Sequence, residues 1–185
     1  MSTTSMTLAS ILVSAVISGA PVLSAQAGQA AKPQGQAAST QPAAADTTFL
    51  QTAGSNGQAE VALATVAQEK ATNARVKAYA GRLHQDHQQA NKELMGIASR
   101  KSVKIPEPSA AKKATSDKLA KLTGAAFDKA YISQMVTDHR QGIASFTKAS
   151  SSTDADVKAF ATKTLPTLKA HLAEAEQIQK ELGGQ

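Results

Sequence analysis

Apolar residues recur every three to four positions along most of the chain, which is the period of an α-helix with one buried face. Four long segments follow this period, at about 46–71, 73–102, 125–149 and 153–182, and a shorter helical stretch covers 109–122. Outside the N-terminal segment, no alternating run of β-branched residues predicts a strand. The pattern therefore predicts an all-α fold, an up-down-up-down four-helix bundle with a short extra helix before the third long helix.

Capping and helix-breaking residues refine the helix ends. Asp46 or Thr47 is expected to cap the first helix, because short polar side chains accept hydrogen bonds from the first free backbone N–H groups. Thr153 and Asp156 resemble a capping box at the start of the fourth long helix. Pro166 lies inside that helix and is expected to kink it, because proline removes one backbone hydrogen bond.

The N-terminal segment differs in composition from the rest of the chain. Residues 1–27 carry no charged side chain, and an apolar stretch at 8–23 precedes a small-x-small sequence at 25–27. This order predicts a secretory signal peptide, with a membrane anchor as the alternative. Residues 28–45 are rich in Ala, Gln and Pro, which predicts a disordered tether. The four-helix bundle domain is then 46–185, in a periplasmic or secreted protein whose mature chain has no transmembrane segment.

Composition narrows the chemistry. The 185 residues include no Cys, which excludes disulfides, thiolate metal sites and Cys nucleophiles. Twenty basic residues are interleaved with 14 acidic ones, so the net charge of +6 indicates a solvated surface rather than a nucleic-acid site. In an exported protein, this charge suits an anionic envelope component such as lipopolysaccharide, anionic lipid or acidic polysaccharide. The sequence does not define an oligomeric state.

Each long helix places one imidazole or carboxylate on its apolar stripe: Glu60, His87, His139 and His171. In the predicted bundle, these four groups lie within about one to two helical turns of a common level. Unsatisfied polar groups in a core cost about 1–3 kcal/mol each, so the four must pair with one another, hold water or hold an ion. Their convergence favours a mononuclear metal site, although a lone core histidine is more often a hydrogen-bonded packing residue.

Three imidazoles and one carboxylate suit iron, manganese or zinc, while copper is less favoured without a thiolate ligand. Asp86 and Asp138 each precede a stripe histidine, so they are weak candidates for acceptors that orient an imidazole, with surface carboxylates as the alternative. His84 is expected to be exposed or to flank the site. Tyr79 and Tyr131 are expected to pack in the core with their hydroxyl groups in water.

The sequence is compatible with two functions. A metal site in the bundle core suggests small-molecule redox chemistry or metal handling in the cell envelope. The alternative is a non-enzymatic envelope or stress-associated protein, structural or interacting with a partner, whose core polar groups pair without a metal. Neither a phosphate-binding loop nor a nucleophile elbow is present in the sequence, so the choice between enzyme and non-enzyme stays undecided.

Several spaced motifs resemble those of a known bacterial family of unknown function. The motifs are Phe49-Leu50, Glu60 to Leu63, Asp86-His87, Phe127 to Tyr131 with His139, Leu165-Pro166 and His171-Leu172. Members of this family are exported, ferritin-like four-helix proteins that are often labelled predicted outer membrane proteins. The resemblance implies a ferritin-like bundle and an envelope location. The predicted location, periplasmic or secreted, includes peripheral attachment to the outer membrane. Glu60, His87, His139 and His171 match the family's polar core positions, whereas His84 does not.

Overall fold

The computed structural model describes residues 42–184, which form five α-helices and no strand. The helices are α1 (Ala44–Lys70), α2 (Ala74–Arg100), α3 (Ala110–Ala120), α4 (Gly124–Ala149) and α5 (Ala155–Gly183). The predicted all-α class, with a short helix before the third long one, is confirmed. The predicted signal peptide and most of the predicted tether precede residue 42 and lie outside this range. Within it, no helix is long and apolar enough to cross a membrane.

The start of α1 differs from the prediction. The helix begins at Ala44, inside the segment assigned to the tether, and no side chain of the described residues caps its first turn. Asp46 is instead a first-turn residue, only 7% exposed, whose carboxylate accepts a hydrogen bond of 2.7 Å from the Ser152 hydroxyl. The carboxylate that was expected to cap its own helix therefore connects α1 to the α4–α5 turn.

The start of α5 also differs from the prediction. Asp154, not Thr153, is the capping residue, and its carboxylate accepts hydrogen bonds from the backbone N–H groups two and three residues later. The helix continues through Pro166 as one element to Gly183. Pro166 and Thr162 are both exposed, so the Thr162 carbonyl that loses its helical partner lies on the solvent side.

The four long helices pack in a ring, with α1 against α2, α2 against α5, α5 against α4 and α4 against α1, while α3 contacts α1 and α4. The direction of α4 contradicts the up-down-up-down prediction. The Asp128 carboxylate, near the start of α4, accepts a hydrogen bond from the backbone N–H of Asn73 in the α1–α2 turn. Lys101, at the end of α2, donates a hydrogen bond to Asp154 at the start of α5. The helices α2 and α4 are therefore parallel, and the order is up-down-down-up.

The reason for this order is the connection between α2 and α4. Residues 101–123 form a crossover that includes α3 and returns the chain to the end of the bundle where α2 began. At one end of the crossover, the Ser55 hydroxyl donates to the Glu107 carbonyl at 3.1 Å, and at the other end Lys70 reaches the Leu122 carbonyl at 3.4 Å. The short helix in this segment was predicted at 109–122, but the predicted up-down-up-down order placed the long helices on either side of it antiparallel.

Asp128 anchors the crossover and is expected to be a major contributor to stability. Its carboxylate is 1% exposed and accepts hydrogen bonds from the Thr72 backbone N–H, the Thr72 hydroxyl and the Asn73 backbone N–H, at 3.2, 2.6 and 2.9 Å. Asp128→Ala leaves these donors without their acceptor, so we expect the free energy of unfolding to fall by about 3 kcal/mol in urea titrations. Asp117→Ala, at an exposed position of α3, is the control. A loss below about 1 kcal/mol would show that these bonds add little net stability.

Candidate metal centre

The candidate site is a polar layer between two apolar clusters. The first cluster contains the end of α1, the starts of α2 and α4 and the end of α5; the second contains the opposite end of each helix. On every long helix, the change from one cluster to the other falls at the polar residue of the stripe. These residues are Glu60 on α1, His87 on α2, His139 on α4 and His171 on α5.

Three imidazoles meet in this layer. One ring nitrogen from each of His87, His139 and His171 lies within 4.8 Å of one ring nitrogen from each of the others. The three residues are 8%, 1% and 2% exposed, so the meeting point is inside the bundle. His84, the fourth histidine, lies outside this group, and its Nε2 is 3.4 Å from the Gln88 side-chain nitrogen.

Each of the three imidazoles has an oxygen acceptor at one ring nitrogen. The Oε2 of Glu60 lies 3.1 Å from His87 Nδ1, and the Oδ2 of Asp86 lies 2.8 Å from His171 Nε2. For His139 the acceptor is the carbonyl of Met135, which lies 2.9 Å from Nδ1. A carbonyl or carboxylate behind each imidazole is the arrangement that fixes the orientation and tautomer of metal-binding histidines.

These contacts determine which nitrogens carry lone pairs. Because a carbonyl only accepts, we assign the proton of neutral His139 to Nδ1, which leaves a lone pair on Nε2. With Asp86 as the acceptor, neutral His171 carries its proton on Nε2 and a lone pair on Nδ1. His139 Nε2 and His171 Nδ1 are 3.3 Å apart, so two lone pairs face each other. A cation at this point would remove their repulsion.

His87 adds a third nitrogen of the same kind. With Glu60 accepting from Nδ1, its Nε2 carries the lone pair, and this atom is buried without a hydrogen-bond partner among residues 42–184. A buried acceptor without a partner costs about 1–3 kcal/mol, and most such atoms in proteins are satisfied. The three assignments together produce three nitrogen lone pairs in one buried layer.

Burial determines the protonation of the layer. Desolvation lowers the pKa of the His87 imidazole to about 4, and it also lowers the pKa values of His139 and His171, although the carboxylates of Glu60 and Asp86 act in the opposite direction on these two. All three imidazoles are therefore neutral at pH 7, which is the form that binds metals. The pKa of the Glu60 carboxyl is raised, because desolvation outweighs the opposite effect of the nearby His139.

The two carboxylates that were predicted to orient an imidazole have different partners in the structure. Asp86 contacts an imidazole, as expected for such a residue, but it is that of His171 rather than that of its neighbour His87. Asp138 contacts no imidazole: its Oδ1 accepts hydrogen bonds from Lys112 Nζ at 2.6 Å and from Gln134 at 3.0 Å. Lys112 could not be identified from the sequence, because its partner Asp138 lies on a different helix. The burial of Asp138, at 7% exposed, is the feature that required a positive partner.

The prediction that the tyrosine hydroxyl groups contact solvent is wrong. Tyr79 and Tyr131 are fully buried; the Tyr79 hydroxyl donates to the His171 carbonyl at 3.2 Å, and the Tyr131 hydroxyl has no partner among the described residues. Each tyrosine lies eight residues, just over two helical turns, before a histidine of the layer. The same stripe that buries the histidines therefore buries the tyrosines as well.

A cavity of about 310 Å³ adjoins the polar layer on the side of the second apolar cluster. Glu60 and the three histidines line one end, and Phe146 and Phe160 line the other. Exposed residues such as Gln89 and Lys163 also contribute to its wall, so the cavity reaches the surface. The layer is thus accessible to small molecules despite its burial.

Together, the fold and the site define a class of protein: an all-α domain with a buried three-histidine layer. The chain belongs to the family described as Domain of unknown function (DUF4142), whose model matches residues 31–178, and this confirms the predicted membership in a bacterial family of unknown function. The fold is similar to that in the crystal structure of a DUF305 fragment from Deinococcus radiodurans. The TM-score is 0.69 and the identity 13%, over 76% of this chain and 98% of that one. No curated protein matches the chain.

Proposed function

We propose that this protein binds one transition-metal ion through His87, His139 and His171. The observation that carries the proposal is the convergence of three neutral, buried imidazoles, each with an oxygen acceptor behind its protonated nitrogen. Glu60 was predicted as a fourth ligand, but its carboxylate contacts the outer nitrogen of His87. In this proposal, Glu60 and Asp86 are therefore positioning residues that orient the imidazoles.

The donor set restricts the ion. Three neutral nitrogen donors with open positions suit zinc, iron or manganese, and copper is less favoured because the site has no sulfur ligand. With three protein ligands, at least one coordination position remains for water or a small molecule. The proposed role is metal handling in the cell envelope, with small-molecule redox chemistry at the ion as its extension.

The location and the finer fold class belong to the same proposal. The uncharged segment 1–27 supports a signal peptide and a periplasmic or secreted protein, with 28–45 as a tether that allows peripheral attachment at the outer membrane. One long crossover between the second and third long helices is the connection of ferritin-like bundles, which supports that class for the domain that follows.

A second candidate function requires no metal. With one of the two imidazoles protonated on both ring nitrogens, the contact of 3.3 Å between His139 Nε2 and His171 Nδ1 would be a hydrogen bond within a purely structural polar core. The basic surface would then bind an anionic envelope component, and metal-free protein would bind anionic vesicles or lipopolysaccharide in a salt-sensitive manner. This arrangement gives His87 Nε2 no partner in the described part of the chain, so the metal site is the primary proposal.

Metal uptake tests the proposal. Untagged protein, stripped with a chelator and then titrated separately with Zn²⁺, Mn²⁺ and Fe²⁺, is expected to bind one equivalent of at least one ion by elemental analysis. The double variant His87→Ala, His139→Ala is expected to bind none, because it removes two of three ligands. The matched control is His84→Ala, which removes a histidine of the same helix outside the layer and should retain full uptake. Equal uptake by wild type and double variant would refute the site.

A further inference from the structure

The cavity beside the metal layer has a specific origin in the sequence. One helical turn from the polar residue on each helix, toward the second apolar cluster, the chain carries a small side chain. We call these residues the small-residue layer: Gly57, Ala90, Gly142 and Thr167. One turn away in the opposite direction, the first apolar cluster begins with larger side chains on three of the four helices, Leu63, Leu83 and Met135, and with Ala175 on α5. The bundle is therefore filled on one side of the histidines and open on the other.

The two ends of the cavity differ in chemistry. At the inner end, the histidine nitrogens offer a metal ion with open positions. At the other end, Phe146 and Phe160 stand with ring centroids 5.7 Å apart and planes at 48°, and Leu94 and Leu168 also contribute to the wall. Between them lie polar groups that can orient a ligand, such as Asn91 and Thr164. Ligand sites in proteins combine such apolar walls with a few polar groups, and about 300 Å³ is at the small end of their range.

We propose that this cavity binds a small molecule with an oxygen-donor head group for the metal ion and a ring-sized apolar body for the phenylalanine end. The proposal rests on the proposed metal site and adds the class of ligand. The head group is neutral or singly anionic, because Glu60 and Asp86 already place carboxylates behind two of the imidazoles. The body is compact, because the cavity holds only about 310 Å³.

The test compares two ligands that share a head group. Benzohydroxamate and acetohydroxamate chelate zinc through the same two oxygens, but only the first carries a ring. On zinc-loaded protein, calorimetry is expected to give benzohydroxamate an affinity at least tenfold higher, because burying a ring is worth more than burying a methyl group. Titrations of both hydroxamates against free zinc supply the intrinsic difference, which is subtracted.

A pair of glycine variants distinguishes filling of the cavity from a general effect of a larger side chain in a helix. A Cβ atom at Gly142 meets only Leu168, at 4.0 Å, so Gly142→Val adds a side chain to the cavity wall without a clash at Cβ. It is expected to abolish the tenfold preference and leave zinc uptake unchanged. Gly81→Val is the matched control, since Gly81 is also half-buried in a long helix and its Cβ meets only Gln68, at 3.8 Å, away from the cavity.

A metal-independent measurement tests the apolar end by itself. Fluorobenzene is expected to bind chelator-treated protein, as shown by broadening of its ¹⁹F resonance, and Gly142→Val is expected to prevent it. Equal affinities of the two hydroxamates for the zinc-loaded wild type would overturn the proposed ligand class and leave the metal site intact. Absence of zinc, manganese and iron uptake would overturn both proposals, even if fluorobenzene binds.

Discussion

Replacing His139 by leucine is expected to weaken zinc binding about 1000-fold and to stabilise the metal-free protein by about 1 kcal/mol. His139 is 1% exposed, and its Nε2 lone pair faces that of His171 at 3.3 Å. Structural zinc sites contribute about 10–16 kcal/mol, so the loss of one ligand in three removes about 4 kcal/mol, which is a factor of about 1000. Opposite effects on affinity and on stability are typical of a residue retained for function.

His139 is the best position for this test because its second ring nitrogen contacts a backbone carbonyl rather than a side chain. Its Nδ1 donates to the carbonyl of Met135, an oxygen that the helix itself can still satisfy after substitution. Leucine also fills most of the space of the imidazole. Affinity is measured by competition with a chromogenic zinc chelator, and stability by urea unfolding in EDTA. His84→Leu is the matched control and should change neither value; zinc affinity of the His139→Leu protein within tenfold of wild type would contradict the ligand role.

The metal-free protein is expected to lose about 3 kcal/mol of stability between pH 6.5 and pH 4 through His87 alone. Burial lowers the pKa of His87 from 6.5 to about 4, so in this window the unfolded chain binds a proton that the folded chain excludes. The stabilisation is fully present above pH 6.5 and falls as the pH drops through the window. His139 and His171 have lowered pKa values for the same reason and act in the same direction.

Glu60 opposes this loss of stability at low pH, so a Glu60 variant separates its contribution from that of the histidines. Its raised pKa means that the folded chain keeps a proton above pH 4.5, so this group favours the folded state at low pH and loses that contribution as the pH rises. Urea midpoints in EDTA at pH 7.5, 6.5, 5.5 and 4.5 are expected to fall steadily for wild type and more steeply for Glu60→Gln. His87→Leu should flatten the profile and His84→Leu should not. An unchanged slope in His87→Leu would mean that burial of His87 does not make the stability depend on pH.

The polar layer could be predicted despite a wrong helix order, for a geometric reason. His87 lies 13 residues from the start of α2 and 13 from its end, so reversing a neighbouring helix leaves it at nearly the same level. Glu60, His139 and His171 are also near the middle of their helices. Their convergence therefore depends on the period of 3.6 residues and on helix length, which the sequence shows directly.

The roles of individual atoms could not be predicted in the same way. The role of Glu60 as an acceptor behind His87, rather than a ligand, depends on the distance of 3.1 Å between two side chains on different helices. The pairing of Asp138 with Lys112 depends on the position of α3, which the crossover determines. Rotamers and axial offsets of this kind follow from packing, and an apolar stripe specifies the face of a helix but not the register between helices.

Helix content, the buried stripes and the identity of their polar residues were determined by the sequence alone, because an apolar face must be buried whatever its partner is. The direction of α4, the nitrogen that each imidazole turns inward and the cavity at the small-residue layer were decided by the tertiary structure. These properties exist only once four helices share one interior, because each depends on distances between residues that lie far apart in the chain.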